Sequence, residues 1–234
     1  MHLATSAALG RMCHALAPMA GGAGNGLQAG YEYHVFLSYR RVPDWKKVVD
    51  IIHGHLERRL QTMLGMEIPK VRVFKDDRDV EYGEEWPPEL ARALSSSMVF
   101  VPVLWPEYFA PHKHWCRTEL SHMLTRREQL RGPDGIAPAL IYPVKIVNFK
   151  PPPIADIQAF DVSDLPVSSL MTPRSPKSQQ LEKRLYPFVE TMLTAIRNPP
   201  SYDPSWFRMA ADEFADVFSL EARIQHDRPD LGDA

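Results

Sequence analysis

The sequence has little of what would place it among the more specialised protein classes. Its 234 residues include two cysteines, Cys13 and Cys116, too few for a disulfide framework, and this points to a reducing, cytoplasmic setting. Charge of one sign is equally scarce. The 27 basic and 29 acidic residues leave a net charge of −2, which gives no bulk field for gripping nucleic acid or an anionic membrane. No apolar run approaches the roughly 18 to 20 residues that a membrane helix needs. A Ser-His-Asp hydrolase would carry a Gly-x-Ser-x-Gly elbow, and there is none. His112, His114 and Cys116 are metal-ligand types without the second paired half of a zinc site, so no metal is expected. Asp76, Asp77 and Asp79 cluster around Arg78 without the glutamate that a calcium loop requires. A phosphoacceptor receiver needs acids at the end of its first strand and after its third; Ser38-Tyr39 and Leu104-Trp105 supply neither.

What remains is an ordinary globular composition, 44% hydrophobic and 24% charged, enough for one domain with extensions. Residues 1–30 read as a flexible leader. They are rich in alanine and glycine, and Arg11, His14 and Pro18 interrupt the only apolar stretch that could serve as a signal peptide. From Tyr33 the pattern changes. Tyr33 to Ser38 is a short apolar run of the kind a doubly covered strand shows. Pro43 and Asp44 open a helix with Val48, Ile52, Leu56 and Leu60 on one stripe, and Gly65 stops it. Further strands are expected at Lys70–Phe74, Met98–Leu104 and Ala139–Val144. Helices are expected from Pro87-Pro88 to about Ser96, from near His114 to Arg131, and from Gln180 to Arg197. Pro102 marks a sheet position where one donor is not needed. Residues 31–197 therefore form the domain, and 198–234 a C-terminal extension whose amphipathic part carries Trp206, Phe207, Phe214 and Phe218 and is expected to pack onto it.

Alternating strands and helices imply an α/β fold, a parallel sheet with helices on both faces. Ligands of such sheets bind at the carboxyl ends of the strands. The unusual residues gather there: Ser38-Tyr39-Arg40-Arg41, Lys75 to Glu85, and Trp105 to His114.

Three motifs on these elements resemble one family. Phe36-Leu37-Ser38-Tyr39-Arg40-Arg41 resembles the first box of the Toll/interleukin receptor (TIR) domain. Asp77-Arg78-Asp79-Val80-Glu81-Tyr82-Gly83 resembles its second box, the BB loop. Trp115-Cys116-Arg117-Thr118-Glu119-Leu120 resembles its Trp-Cys-x-x-Glu-Leu signature. The likeness spans about Tyr31 to Arg197. Tyr82-Gly83 stands where the family has Pro-Gly, and a Phe-Trp third box is missing.

The resemblance implies a flavodoxin-like fold and one of two activities. Some TIR domains are self-associating binding modules; others, many of them in bacterial antiviral defence, cleave NAD between nicotinamide and ribose. In the latter one glutamate, at the position of Glu119, is catalytic. Chemistry explains why one carboxylate suffices. A glycosidase needs a second to protonate its leaving oxygen. Nicotinamide in NAD is already cationic and departs neutral, so only the sugar cation must be steadied.

The residues around Glu119 allow that reading. Its neighbours three and four positions away are Cys116, His122, Trp115 and Met123, so no intrahelical ion pair claims it. By the resemblance Trp86 falls where an aromatic stacks on nicotinamide, a cation suited to an indole face; it is equally placed to anchor a helix start. Arg40 and Arg41 match arginines near substrate and have forks suited to a diphosphate; two solvated arginines at a strand end are as ordinary. Tyr39 and Trp115 complete the expected substrate side, with Tyr39 the more natural as packing beneath the rim. Trp105 and Tyr108 fit core and site equally. Asp77, Arg78, Asp79, Tyr82 and Gly83 are the expected self-association loop, giving a homo-oligomer or filament, with a separate sensor or effector as a possible partner. NAD enters as substrate, with no cofactor, no metal, no nucleic acid and no membrane. Two alternatives stay open: a catalytically silent scaffold, and a sensor that binds an ADP-ribose-like ligand without turnover.

Overall fold

The computed structural model of the chain describes residues 27–75, 88–110, 114–152, 154, 157–165 and 171–226, with side chains as far as Ala215. Five parallel strands, β1 (Tyr33–Tyr39), β2 (Val73–Lys75), β3 (Ser97–Leu104), β4 (Val144–Lys145) and β5 (Phe160–Asp161), stand in the order β2-β1-β3-β4-β5. This is the flavodoxin-like order, in which the chain runs outward from β1 in one direction to β2 and then in the other through β3.

Strand parity divides the interior into two cores. Val35 and Leu37 of β1, with Val99, Val101 and Val103 of β3, face helices α1 (Pro43–Leu64) and α4 (Pro176–Arg197). Phe36, Phe100 and Leu104 face the opposite way, toward α2 (Pro88–Ser95), α3 (Trp115–Gln129) and α5 (Ser205–His226). On that second side the rings of Phe74, Phe36 and Phe100 stack across three adjacent strands at 5.0 and 5.8 Å between centroids, which the in-register pairing of these residues makes possible.

The helices follow from their caps and stripes. Pro43 sits at the start of α1, where its fixed φ and missing N–H cost nothing, and Val48, Ile52, Leu56 and Leu60 are wholly buried. In α4 the Ser175 hydroxyl accepts from the Ser178 N–H and caps the first turn.

Strand β2 begins three residues later than the expected Lys70–Phe74 and ends one later, and two larger features depart from the sequence reading. The strand expected at Ala139–Val144 is broken. Leu140 and Tyr142 exchange hydrogen bonds with Phe100, and regular pairing resumes only at Val144. Pro102 lies between and has no N–H to donate toward β4, so the ladder lapses there. The other feature is β5, which the sequence reading does not contain. It has two residues in a proline-rich stretch, and Phe160 is held by stacking on Phe188 of α4 at 4.9 Å.

Helix α5 forms part of the second layer. Ala210 and Phe214 are fully buried against α2 and α3. No described helix is long and apolar enough to cross a membrane.

Candidate active site

The carboxyl ends of β1 and β3 flank the point where the sheet reverses its winding, so the loops leaving them diverge and open a crevice. Ser38 is the penultimate residue of β1. Because Phe36 faces the α2/α3 layer, Ser38, two residues on, faces it too. Glu119 reaches the same place from the other direction, about one turn into α3. The Ser38 hydroxyl donates to Glu119 Oε2 at 2.5 Å. Tyr108, from the short 3-10 turn Pro106–Phe109 after β3, brings its hydroxyl within 2.8 Å of Ser38 Oγ and 3.2 Å of the Cys116 carbonyl oxygen.

The Glu119 carboxylate is thus fixed rather than solvated. Glu119 is 7% exposed, and Ser38, Tyr108 and Cys116 are all buried. A side chain this buried has exchanged water for directed hydrogen bonds, a preorganised arrangement that need not rearrange when charge develops nearby.

Two groups beside the carboxylate are held in their neutral forms. Burial, and after it Cys116 and Glu119, push the Tyr108 phenol well above its ordinary range, against its hydrogen bond with Ser38. Tyr108 therefore stays a neutral donor. Burial likewise pushes the Cys116 thiol well above its ordinary range, and Glu119 adds to the effect while Arg40 and Arg41 oppose it. A thiol so protonated is a poor nucleophile. The same interaction marks both arginines as close enough to this corner for their charge to be felt there.

The other expected site residues divide. Arg40 and Arg41 lie just past β1, both partly exposed. Tyr39 is parted from Glu119 by strand parity. It is 9% exposed and packs in the core shared by α1 and α4, beneath the sheet as seen from Ser38. Trp115 directs its ring toward α5, where Phe214 lies 6.2 Å away. Trp105 is fully buried with its ring 6.0 Å from that of Trp45, whereas Tyr108 belongs to the site. Trp86 and the loop residues Asp77, Arg78, Asp79, Tyr82 and Gly83 lie outside the described residues, as does His112.

Ser38 as a partner of Glu119, with Tyr108 bonded to Ser38 behind it, is what the sequence reading missed. Strand alternation counted from Phe36 gives the face of Ser38, but only the strand order reveals that α3 covers that face.

Comparison with known proteins adds two findings. A family profile described as "TIR domain" matches residues 35–170. A solved structure, the TIR domains of the activated Roq1 resistosome directly recognizing the pathogen effector XopQ, is 18% identical over 80% of this chain and 99% of its own, with a TM-score of 0.34.

Proposed function

The chain belongs to the TIR domain family, and on that footing we propose that it is an NAD glycohydrolase with Glu119 as its catalytic residue. The observation that carries this reading is the buried Glu119 carboxylate, held by Ser38 at the carboxyl end of β1. In the reaction the bond between the anomeric carbon of ribose and the pyridinium nitrogen breaks. Its electron pair stays with nitrogen, and neutral nicotinamide leaves. Glu119 steadies the positive charge left on the sugar and holds the ribose hydroxyls. Water then adds to the anomeric carbon, releasing a proton and giving ADP-ribose; attack by the substrate's own adenine instead gives a cyclic product. No general acid is needed, which agrees with the neutral Tyr108 and Cys116 beside the carboxylate.

Arg40 and Arg41 bind the diphosphate, and Trp86 stacks on nicotinamide. The loop from Asp77 to Gly83 joins copies of the chain into the active assembly, and bacterial antiviral defence is the setting. Purified protein at high concentration, supplied with NAD, should release nicotinamide, and Glu119→Ala should not. If the wild type stays silent under crowding and with candidate activating partners, while NAD gives no thermal shift, the protein is a scaffold. A thermal shift without product would instead mark a nucleotide sensor.

A further inference from the structure

Helix α5 lies beyond the matched family segment, yet it grips the helix that carries Glu119. Trp115, His122, Arg126 and Gln129 follow one another on α3 at seven, eleven and fourteen residues from the first, which on a 3.6-residue period forms a single stripe. Every member of that stripe meets α5. Trp115 packs on Phe214 at 6.2 Å between centroids. His122 donates through Nδ1 to Glu213 Oε2 at 3.0 Å. The Arg126 guanidinium lies 3.8 Å over the Trp206 ring, and Gln129 reaches the Met209 sulfur at 3.7 Å. Glu119 lies beside this stripe, four residues after Trp115 and three before His122.

The adjacent residues Glu213 and Phe214 therefore hold α3 one turn to either side of Glu119. Both His122 and Phe214 are fully buried, and the Glu213 side chain is 28% exposed. A single contact would let α3 roll about its axis. Two contacts about two turns apart, one on each side of Glu119, fix its rotation, and with it the reach of Glu119 to Ser38. We infer that Glu213 and Phe214 are positioning residues for Glu119, through which the C-terminal helix sets the geometry of the site. The inference rests on reading Glu119 as the catalytic residue. Misplacement by about 1 Å can cost on the order of a hundredfold in rate, so a small loosening of α5 suffices to alter turnover.

The test uses the full chain with Cys13→Ser, so that Cys116 is the single thiol. Cys116 is 5% exposed and lies on the same first turn of α3, which makes its alkylation rate a measure of how firmly that turn is seated. Glu213→Ala and Phe214→Ala should lower kcat for nicotinamide release about tenfold or more and leave KM for NAD within about twofold, since the lost geometry concerns the transition state. Both should speed Cys116 alkylation about tenfold, whereas Glu213→Gln, which keeps an acceptor for His122, should restore both readouts. Phe214→Leu replaces Phe214→Ala if the latter does not fold. Unchanged kcat in variants of a wild type that turns over NAD overturns the inference, and so does unchanged alkylation. If the wild type releases no nicotinamide but Glu213→Ala still accelerates alkylation, then α5 seats α3 as inferred and the catalytic reading of Glu119 is what falls.

Discussion

Ser38 Oγ and Glu119 Oε2 are 2.5 Å apart although 81 residues separate them in the chain. One belongs to a strand and the other to a helix, and the sheet's change of winding direction brings them together. Glu119→Gln keeps shape and removes charge, so nicotinamide release should fall by about a hundredfold or more. Ser38→Ala should cost about tenfold in kcat, with little change in KM. It should also lower stability by about 1–3 kcal/mol, because a buried acceptor loses a donor. Steady-state kinetics and urea denaturation measure the two effects. A Ser38→Ala enzyme with full kcat would contradict the orienting role.

On the proposed reading, Arg40 and Arg41 act on substrate affinity rather than on the chemical step. Each alanine variant should raise KM for NAD about three- to tenfold and leave kcat nearly constant. Moderate salt should have the same effect on the wild type, because arginine–phosphate attraction is screened. A salt-independent KM would remove both arginines from the diphosphate site.

Buried histidines set an acid limit on stability. His34 is fully buried and accepts the Arg72 N–H through Nδ1; burial foremost lowers its pKa from 6.5 to about 4. The unfolded chain then takes up a proton below about pH 6.5 that the folded chain refuses. Stability should decline as pH falls from about 6.5 to about 4 and level off below, by roughly 3 kcal/mol at about 1.4 kcal/mol per unit. His55, lowered mainly by burial as well, adds a slope of the same sign. His34→Asn keeps an acceptor for Arg72 and should flatten the profile between pH 4 and 6.5 without abolishing it. Urea midpoints across that range provide the check.

Arg126 is a buried cation whose hydrogen-bond partners among the described residues are neutral. It donates to the carbonyls of Ser95 and Ser97 and to the Tyr31 hydroxyl, and Trp206 covers it. Tyr31 in turn donates to the Pro200 carbonyl. One guanidinium thus joins the segment before β1, the α2–β3 junction, α3 and the approach to α5. Arg126→Ala should cost about 3 kcal/mol by orphaning these acceptors, and Arg126→Lys about as much, because the fork geometry is lost. Arg126→Met, which fills the space, should cost less. Denaturant titration ranks the three.

Gly30 adopts φ +93, and a Cβ there would run into the ring of Tyr202. Gly30→Ala should therefore destabilise by about 1–3 kcal/mol, from backbone strain and a displaced aromatic together. A thermal midpoint equal to wild type would show that Tyr202 yields freely.

The sequence made β1, α1, β3 and α4 legible because each is long enough for its apolar pattern to be unmistakable, as with Val48, Ile52, Leu56 and Leu60. Phe160–Asp161 could not be read, since two residues among prolines have no period. The strand at Ala139–Val144 was visible as composition, but the lapse opposite Pro102 depends on which strand faces its missing N–H. Glu119 was legible through a resemblance, whereas its bond to Ser38, and Tyr108 behind Ser38, required the fold. The seam between Trp115, His122 and α5 was hidden for a similar reason: a stripe on one helix does not say which other helix lies against it.

The matched segment ends at residue 170, whereas α4 and α5 begin after it and close opposite sides of the sheet. Cut back to the recognised portion, the polypeptide would lose one of the two helices covering Val99 and Val101 on one side, and the helix that α2 and α3 pack against on the other, inviting aggregation and proteolytic attack. The smallest fragment worth expressing therefore extends at least through Phe214. Unrelated tails fused to this chain are better attached before Leu27 than grafted in place of α4 and α5.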